Sequence, residues 1–461
     1  MKKAVIFYVF ALIFQISFGQ QVPEKQLDSL FSALYNKKMF NGNVLIAEKG
    51  NVVFQKSYEI ANEETGQKLD ENSIFELASV SKQFTAMGIV LLEKQGKLRY
   101  DDLISKFIPE LNSYGNITIR QLLTHTSGLP DYMELFDEKW DKTKFATNKD
   151  IVEELAKYKP SVEFSPGEKF EYSNTGYALL ALIIERVSGQ SFGEFLKDNI
   201  FTPLDMQNTF VYRSRFEPKK IENYAKGYMI DSLGDKINPD SMGKNYLSYY
   251  LDGIVGDGMV NSTTNDLLKW DRALYGNELV DNKDKQIIFS SVKTPDGKES
   301  NYGFGWAVGN SEKYGKVVNH SRGWAGYYTF IERHLDNKKT IIILQNNMGD
   351  LTTMPLKEIR KILYNEPLFS DGLFPTTLNP DELQKYTGTY INSEMPLTIH
   401  IFIKENILMG QSEGQSAFPL DSYENNTFKY EMADIKIVFD LNENSFDFYQ
   451  GKTHLIFKRQ E

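Results

Sequence analysis

The chain has 461 residues, 41% hydrophobic and 25% charged, a composition that supports a sizeable folded core and, at this length, two globular domains behind a removable leader. Acidic residues outnumber basic ones 62 to 52, and the resulting net charge of −10 excludes the concentrated basic surface that a nucleic-acid partner requires. Cysteine is absent, which excludes disulfides, thiol catalysis, cysteine-based zinc sites and a lipid-modified cysteine.

Met1 to Gln20 reads as a signal peptide: Lys2 and Lys3 precede an apolar stretch from Ala4 to Ile16 that only Gln15 interrupts, and Ser17-Phe18-Gly19 offers small residues for cleavage. The stretch falls short of the roughly 20 residues that span a bilayer. Residues 1–19 are therefore expected to be removed, leaving a soluble periplasmic or secreted protein with no integral membrane segment. Glu24 to Tyr35 then carries helical spacing, and Val44 to Phe54 reads as a β-hairpin turning at Gly50-Asn51. From Ser79 to about Leu279 the pattern is mainly helical, with apolar stretches at Phe84 to Leu92, Ile151 to Tyr158, Tyr177 to Val187 and Leu267 to Leu274. Strand signals return at Phe304 to Val308, Lys316 to His320, Tyr327 to Ile331 and Thr340 to Leu344, with Leu335 to Lys338 as a turn and Pro355 to Tyr364 as a closing helix. A helical insert between two sets of strands predicts that the early hairpin joins the late strands in one antiparallel sheet. The expected fold class is thus α/β (α+β), with helices flanking the sheet and an all-helical lobe, over residues 21–370. Beyond Phe374-Pro375, seven short alternating runs between Tyr386 and Phe457 predict a small all-β domain over 377–461.

Ser79-Val80-Ser81-Lys82 places a hydroxyl and an amine three residues apart, on one face of a helix. A serine needs a base to become a nucleophile, and a lysine serves only if its surroundings favour the neutral amine. The spacing also occurs at Ser241 to Lys244 and at Ser290 to Lys293, but only Ser79 opens a long apolar helix. Taken alone, Ser79 reads either as a nucleophile or as a helix N-cap. Tyr172-Ser173-Asn174 sits between a Ser165-Pro166-Gly167 turn and the helix from Tyr177, and offers either a phenol and an amide to a shared site or ordinary capping residues. His320-Ser321-Arg322-Gly323 ends an apolar strand, where the histidine is either structural or part of a site whose glycine lets substrate approach the strand edge.

The order of these three elements resembles the serine β-lactamase and penicillin-binding family, whose class A members carry S-x-x-K, S-D-N and K-T-G. Tyrosine in Y-x-N and histidine in the third motif look like the class C branch, which also holds D-alanyl-D-alanine carboxypeptidases, D-amino-acid peptidases and esterases. Phe75 to Ser79, Gln121 to Pro130, Ser165-Pro166-Gly167 leading into Tyr172, and Gly256 to Ser262 followed by Asp266-Leu267-Leu268 are similar to family strings, and the likeness covers roughly Gln26 to Asn365. The resemblance implies that Ser79 forms an acyl-enzyme, that Lys82 and Tyr172 share the proton transfers, and that Asn174 positions Lys82 and substrate. It implies that His320 replaces the usual lysine beside Ser321, and that the N–H groups of Ser79 and Gly323 bind the oxyanion. Arg322 departs from the family, which has glycine there; it would either crowd the cleft or bind a substrate carboxylate.

His125 lies in a Thr-His-Thr-Ser-Gly loop and reads as structural, and His334, His400 and His454 form no metal-ligand spacing. No metal or organic cofactor is expected. Residues 377–461 resemble the lipocalin-like barrels appended to this family. The expected protein is an exported serine hydrolase acting on a small-molecule or peptide substrate with an amide or ester bond, D-amino-acid peptides or short esters first. A true β-lactamase and a non-catalytic penicillin-binding sensor are the alternatives.

Overall fold

The structure is a computed structural model that describes residues 23–460 except 232–233, 350–351, 367–375, 377, 394, 396 and 431–432; at Arg322 it describes the backbone alone. The expected leader, 1–19, lies outside the described residues. By backbone proximity the chain forms two compact units, one of Asn41–Met229 with Lys236–Met348, the other of the remaining segments, including everything described from Gly349 onward.

The first unit is built on a six-stranded antiparallel sheet. Its strands are β1 (Gly42–Glu48), β2 (Asn51–Tyr58), β3 (Ala307–Ser311), β4 (Gly315–Trp324), β5 (Tyr327–His334) and β6 (Lys339–Gln345), in the order β3-β4-β5-β6-β1-β2. The early hairpin therefore does join the late strands, through β1 against β6 from Gly42↔Gln345 to Glu48↔Lys339. Six of the seven β1 residues are buried, as suits a central strand covered on both faces. The hairpin turn falls one residue earlier than the sequence suggests: Glu48 pairs with Asn51, so Lys49 and Gly50 are the two loop residues, at φ +52° and +86°. That is the left-handed pair a tight hairpin demands, and glycine takes the second place without strain.

Between the two sets of strands run helices, two of which position the site. Helix α1 (Lys82–Lys94) is buried around most of its circumference, and α2 (Asn174–Ser188) buries Thr175 through Ile184 without a break. Helices apolar all round belong inside a core rather than on its surface. They approach closely where Gly88 faces Ile184, since a Cβ at Gly88 would stand 2.7 Å from the Ile184 Cδ1.

In the second unit, eight antiparallel strands between Gly388 and Arg459 close into a barrel, the first pairing with the last through Tyr390↔Arg459. Tyr390, Phe428, Phe439, Phe446 and Phe457 fill its interior. One strand, Phe418–Tyr423, was not expected. Pro419 and two polar residues break its apolar pattern, and proline argues against a strand unless its missing N–H costs no ladder bond. No helix among the described residues is long and apolar enough to cross a membrane.

Candidate active site

Ser79 stands on a single 3-10 turn, Ala78–Ser81, that runs directly into α1, so Lys82 is the first residue of the helix proper. The turn is entered through Ala78 at φ +48°, a left-handed conformation at a non-glycine residue. Such strain persists only where the surroundings impose it. Here Leu77 is pinned on both sides, its N–H donating to the Val260 carbonyl at 2.8 Å and its own carbonyl accepting from Thr329 Oγ1 at 2.6 Å. Ser79 is consequently left half-buried at the wall of a cleft while Lys82 is fully buried behind it.

The Lys82 Nζ has three oxygen partners: Ser79 Oγ at 3.1 Å, Asn174 Oδ1 at 3.0 Å and the Asp257 carbonyl at 2.8 Å. Three acceptors match the three N–H donors of an ammonium. They equally suit a neutral amine that donates to Asn174 and Asp257 and turns its lone pair to the Ser79 hydroxyl. The orientation of the Asn174 amide is settled by its other end. Asp131 Oδ2 accepts from both Asn174 Nδ2, at 3.0 Å, and Asn174 N, at 2.9 Å. A carboxylate only accepts, so the amide nitrogen must face Asp131 and the amide oxygen must face Lys82. The cap of α2 is thus Asp131, and the Ser173 side chain, the expected capping group, makes no cap bond. Below, Tyr132 donates to Asp257 Oδ2 at 2.8 Å. Burial pushes the Asp257 carboxyl above its usual range, opposed by the charge of Lys82, and burial raises the Tyr132 phenol well above 10.

Tyr172 brings its ring to 5.1 Å from Lys82 Nζ. It rests on His125, ring centroids 4.3 Å apart, and His125 Nδ1 accepts from the Ser173 N–H at 3.1 Å, the arrangement of a structural histidine beneath the Tyr172 segment. His320 is buried at 4% exposure, with Nε2 at 2.8 Å from the Tyr302 hydroxyl and its ring 6.3 Å from that of Tyr172. Ser321 is exposed on β4, the Arg322 backbone pairs with Thr329, and the Arg322 side chain lies outside the described residues. Gly323 pairs with Tyr328, and Gly323 and Trp324 line the same cleft as Ser79, Tyr172 and Asn174, a space of about 220 Å³. The structure therefore gathers Ser79, Lys82, Tyr172, Asn174 and Gly323 closely, sets His320 behind the wall, and leaves Ser321 exposed on the same strand. The other two S-x-x-K segments are exposed at both serine and lysine.

A family model described as Beta-lactamase matches residues 27–365. The chain belongs to this family. It is a serine hydrolase of the β-lactamase and penicillin-binding type. Penicillin-binding protein 4* of Bacillus subtilis strain 168 is 44% identical over 351 residues, 76% of this chain and 78% of that protein. The octameric penicillin-binding protein homologue from Pyrococcus abyssi is similar in structure, with a TM-score of 0.66 at 23% identity over 94% of this chain and 99% of that one. The D-amino acid amidase from Ochrobactrum anthropi SV3 superposes with a TM-score of 0.59 at 25% identity, covering 75% and 96% of the two chains.

Several residues of this β-lactamase-family site were not singled out from the sequence. Asp131 directly follows the family-like string ending at Pro130, and Asp257 lies inside the one from Gly256 to Ser262, so both had a signal in their neighbours. Tyr302 had none, being an isolated tyrosine in a polar loop. Glu76 lines the cleft three residues before Ser79, only 2% exposed, and its Oε1 has no hydrogen-bond partner among the described residues. Burial and the neighbouring Asp252 push its carboxyl up to about 8, against the opposing charge of Arg215.

Proposed function

We propose that the protein is an exported hydrolase that cleaves amides or esters of D-amino acids through a covalent Ser79 ester. The observation that carries this reading is the buried Lys82 amine held by three oxygens, one of them the Ser79 hydroxyl. Asn174 and Asp257 take two of the amine hydrogens, which leaves the third direction for exchange of a proton with the Ser79 hydroxyl and, once Ser79 is acylated, with the Tyr172 phenol beside it. In the reaction, Ser79 Oγ bonds to the substrate carbonyl carbon as its proton passes to Lys82 Nζ. The oxyanion so formed takes the N–H groups of Ser79 and Gly323, each worth about 3–4 kcal/mol. Collapse expels the amine or alcohol, which receives a proton through the Tyr172 phenol, and Lys82 returns to the neutral form. Water then adds to the ester by the same route in reverse.

His320 would act through Tyr302 and Tyr172, and Ser321 with Arg322 would meet the substrate carboxylate at the open end of β4. The division into a leader of 1–19, a hydrolase domain of 21–370 and a barrel of 377–461 belongs to the same proposal, as does a periplasmic or secreted location. The D-amino acid amidase likeness favours amide substrates, and the 44% identity to a penicillin-binding protein favours acylation by β-lactams as a second reaction of the same serine.

The test is intact-mass spectrometry with an activated D-alanine ester and with a penicillin, alongside product assays on D-alanine amides and a chromogenic cephalosporin. A transient adduct on the parent chain that is absent in Ser79→Ala, with release of D-alanine, is the expected result. Rapid cephalosporin turnover would replace the proposal by β-lactamase activity. A penicillin adduct that never releases, with no turnover of any substrate, would make the protein a sensor.

A further inference from the structure

Lys82 is fully buried, yet none of its three partners carries a charge: they are a hydroxyl, an amide oxygen and a main-chain carbonyl. A lysine so far from water is ordinarily found beside a carboxylate, because an unpaired ammonium is costly in a low-dielectric interior. Two aspartates adjoin these partners, and both are engaged elsewhere. Asp131 spends Oδ1 on the Met133 N–H at 3.0 Å and Oδ2 on the two Asn174 donors. Asp257 gives Lys82 its main-chain carbonyl, while its side chain turns Oδ2 to the Tyr132 hydroxyl at 2.8 Å.

The two ends of that last bond are held unequally. The Tyr132 N–H donates to Thr175 Oγ1 at 2.7 Å, that hydroxyl donates in turn to the Pro130 carbonyl at 2.7 Å, and the phenol packs edge-on against Phe136. Burial raises the phenol well above 10, so it keeps its proton and remains a donor. The Asp257 carboxylate takes no other side-chain donor among the described residues.

Since Asp257 already lies against Lys82 through its own carbonyl, a turn about its Cα–Cβ bond would bring its carboxylate to the amine. The two groups feel each other as they stand: after burial, the charge of Lys82 is the strongest influence on the Asp257 carboxyl, and it favours the ionised form. An ammonium held by a carboxylate cannot accept the Ser79 proton. The other titratable groups around Lys82 are Asp131, Tyr172 and Tyr177, the two rings at 5.1 and 5.6 Å, with Glu76 in the wall of the same cleft. Asp257 alone joins a carboxyl group to direct main-chain contact with the amine.

We propose that Tyr132 is a positioning residue for acylation: its hydroxyl holds the Asp257 carboxylate off Lys82, so that the amine meets neutral acceptors and stays free to take the proton of Ser79. The inference rests on the reading of Lys82 as the base of Ser79 and adds the residue that keeps it in that role.

The test is the pH profile of kcat/KM on N-acetyl-D-alanine p-nitrophenyl ester, which has no titrating group of its own. In Tyr132→Phe the rising acid limb is expected to move up by about one pH unit or more, a loss of at least tenfold at any pH on the parent's limb. The plateau above the limb should fall less than threefold, with KM there changed less than twofold. A role in packing alone would lower the plateau and leave the limb in place, and a substrate contact would raise KM. In Tyr132→Phe/Asp257→Asn the limb should coincide with that of Asp257→Asn, because no carboxylate is left to release. A smaller movement of the limb in Tyr132→Phe, or one that persists in the double variant, overturns the proposal. Asp257→Asn decides the matter should Tyr132→Phe not fold. If Tyr132 keeps the carboxylate away, its removal moves the limb down by less than one pH unit; a larger fall means that the carboxylate already reaches Lys82, and overturns the proposal. Failure of the hydrolase reading would be seen separately, as absence of any Ser79 adduct in the parent chain.

Discussion

Asp131 decides which end of an amide Lys82 sees. Because its carboxylate accepts from both the side chain and the backbone of Asn174, the Asn174 oxygen has one direction left, toward the Lys82 amine. Asp131→Ala removes that constraint without touching substrate, so the amide can turn its nitrogen to Lys82 and compete for the lone pair that Ser79 needs. The expected result is a fall of about 10²-fold in kcat with KM changed less than threefold, read in steady-state hydrolysis of a D-alanine ester. A purely structural role would instead lower the folded fraction and leave kcat per folded molecule intact. Ser79 and Lys82 were legible because a short spacing carries the whole geometry. Asp131 and Asp257 had only the family-like strings beside or around them as a signal, because a lone aspartate in a loop has no period, and its partner lies 43 residues away in one case and 125 in the other. Only the fold brings such pairs together.

At the scale of the element, the site depends on backbone segments pressed together more tightly than side chains allow. Gly305 sits at φ +77°, and a Cβ there would lie 2.8 Å from both the Lys82 carbonyl oxygen and the Gln83 Cα. Both obstacles are backbone in the first turn of α1, so neither yields as a flexible side chain would. Gly305→Ala is expected to cost about 2–4 kcal/mol, combining left-handed strain with overpacking, and to reduce kcat by shifting Lys82. Urea denaturation and ester hydrolysis on the same sample check both effects.

A second joint holds the helix Thr264–Ala273 to the sheet. Asp271 and Arg333 are both fully buried, with Arg333 Nε at 2.6 Å from Asp271 Oδ1 and Thr340 Oγ1 at 2.9 Å from Oδ2. Asp271→Ala strands the arginine without its carboxylate and is expected to destabilise the fold by about 3–5 kcal/mol. Asp271→Ala/Arg333→Met should recover much of that loss in the same urea titration. These helices and strands were read from apolar spacing. The first sheet strand after the helical region was placed too early, at Phe304 to Val308, because Phe304 and Trp306 alternate with glycines that form a turn instead; the strand is Ala307–Ser311.

The whole molecule repeats the argument the sequence makes about order: strands, helices, strands, then a run of short strands with no helix between them. That sequence of periods was enough for the antiparallel sheet and for a small all-β domain, while the closure of that domain into a barrel was implied only by its resemblance to lipocalin-like domains. The buried charge inside was not legible, since Glu76 looks like any other polar residue in an alternating strand. Its strand, Phe75–Glu76, pairs with Val260–Ser262 through Glu76↔Asn261, and Asp252, Arg215, Tyr224 and Tyr327 are the titratable groups that act on it or feel it. Burial is the largest of the causes that raise its carboxyl to about 8 from 4.5. In the unfolded chain it ionises near 4.5, so between these two values the unfolded state holds fewer protons than the folded one. Stability from this group is therefore fully present below pH 4.5, falls as the pH rises toward 8 and is level above that, at about 1.4 kcal/mol per unit of pH within the window. Glu76→Gln keeps the shape and removes the proton. The variant should match the parent near pH 4.5 and gain on it steadily up to about pH 8, seen as a widening difference in Tm between the two proteins. Curves that stay parallel across that range would mean that Glu76 ionises in the folded protein as freely as in water, and that the cleft beside Ser79 carries a full negative charge at neutral pH.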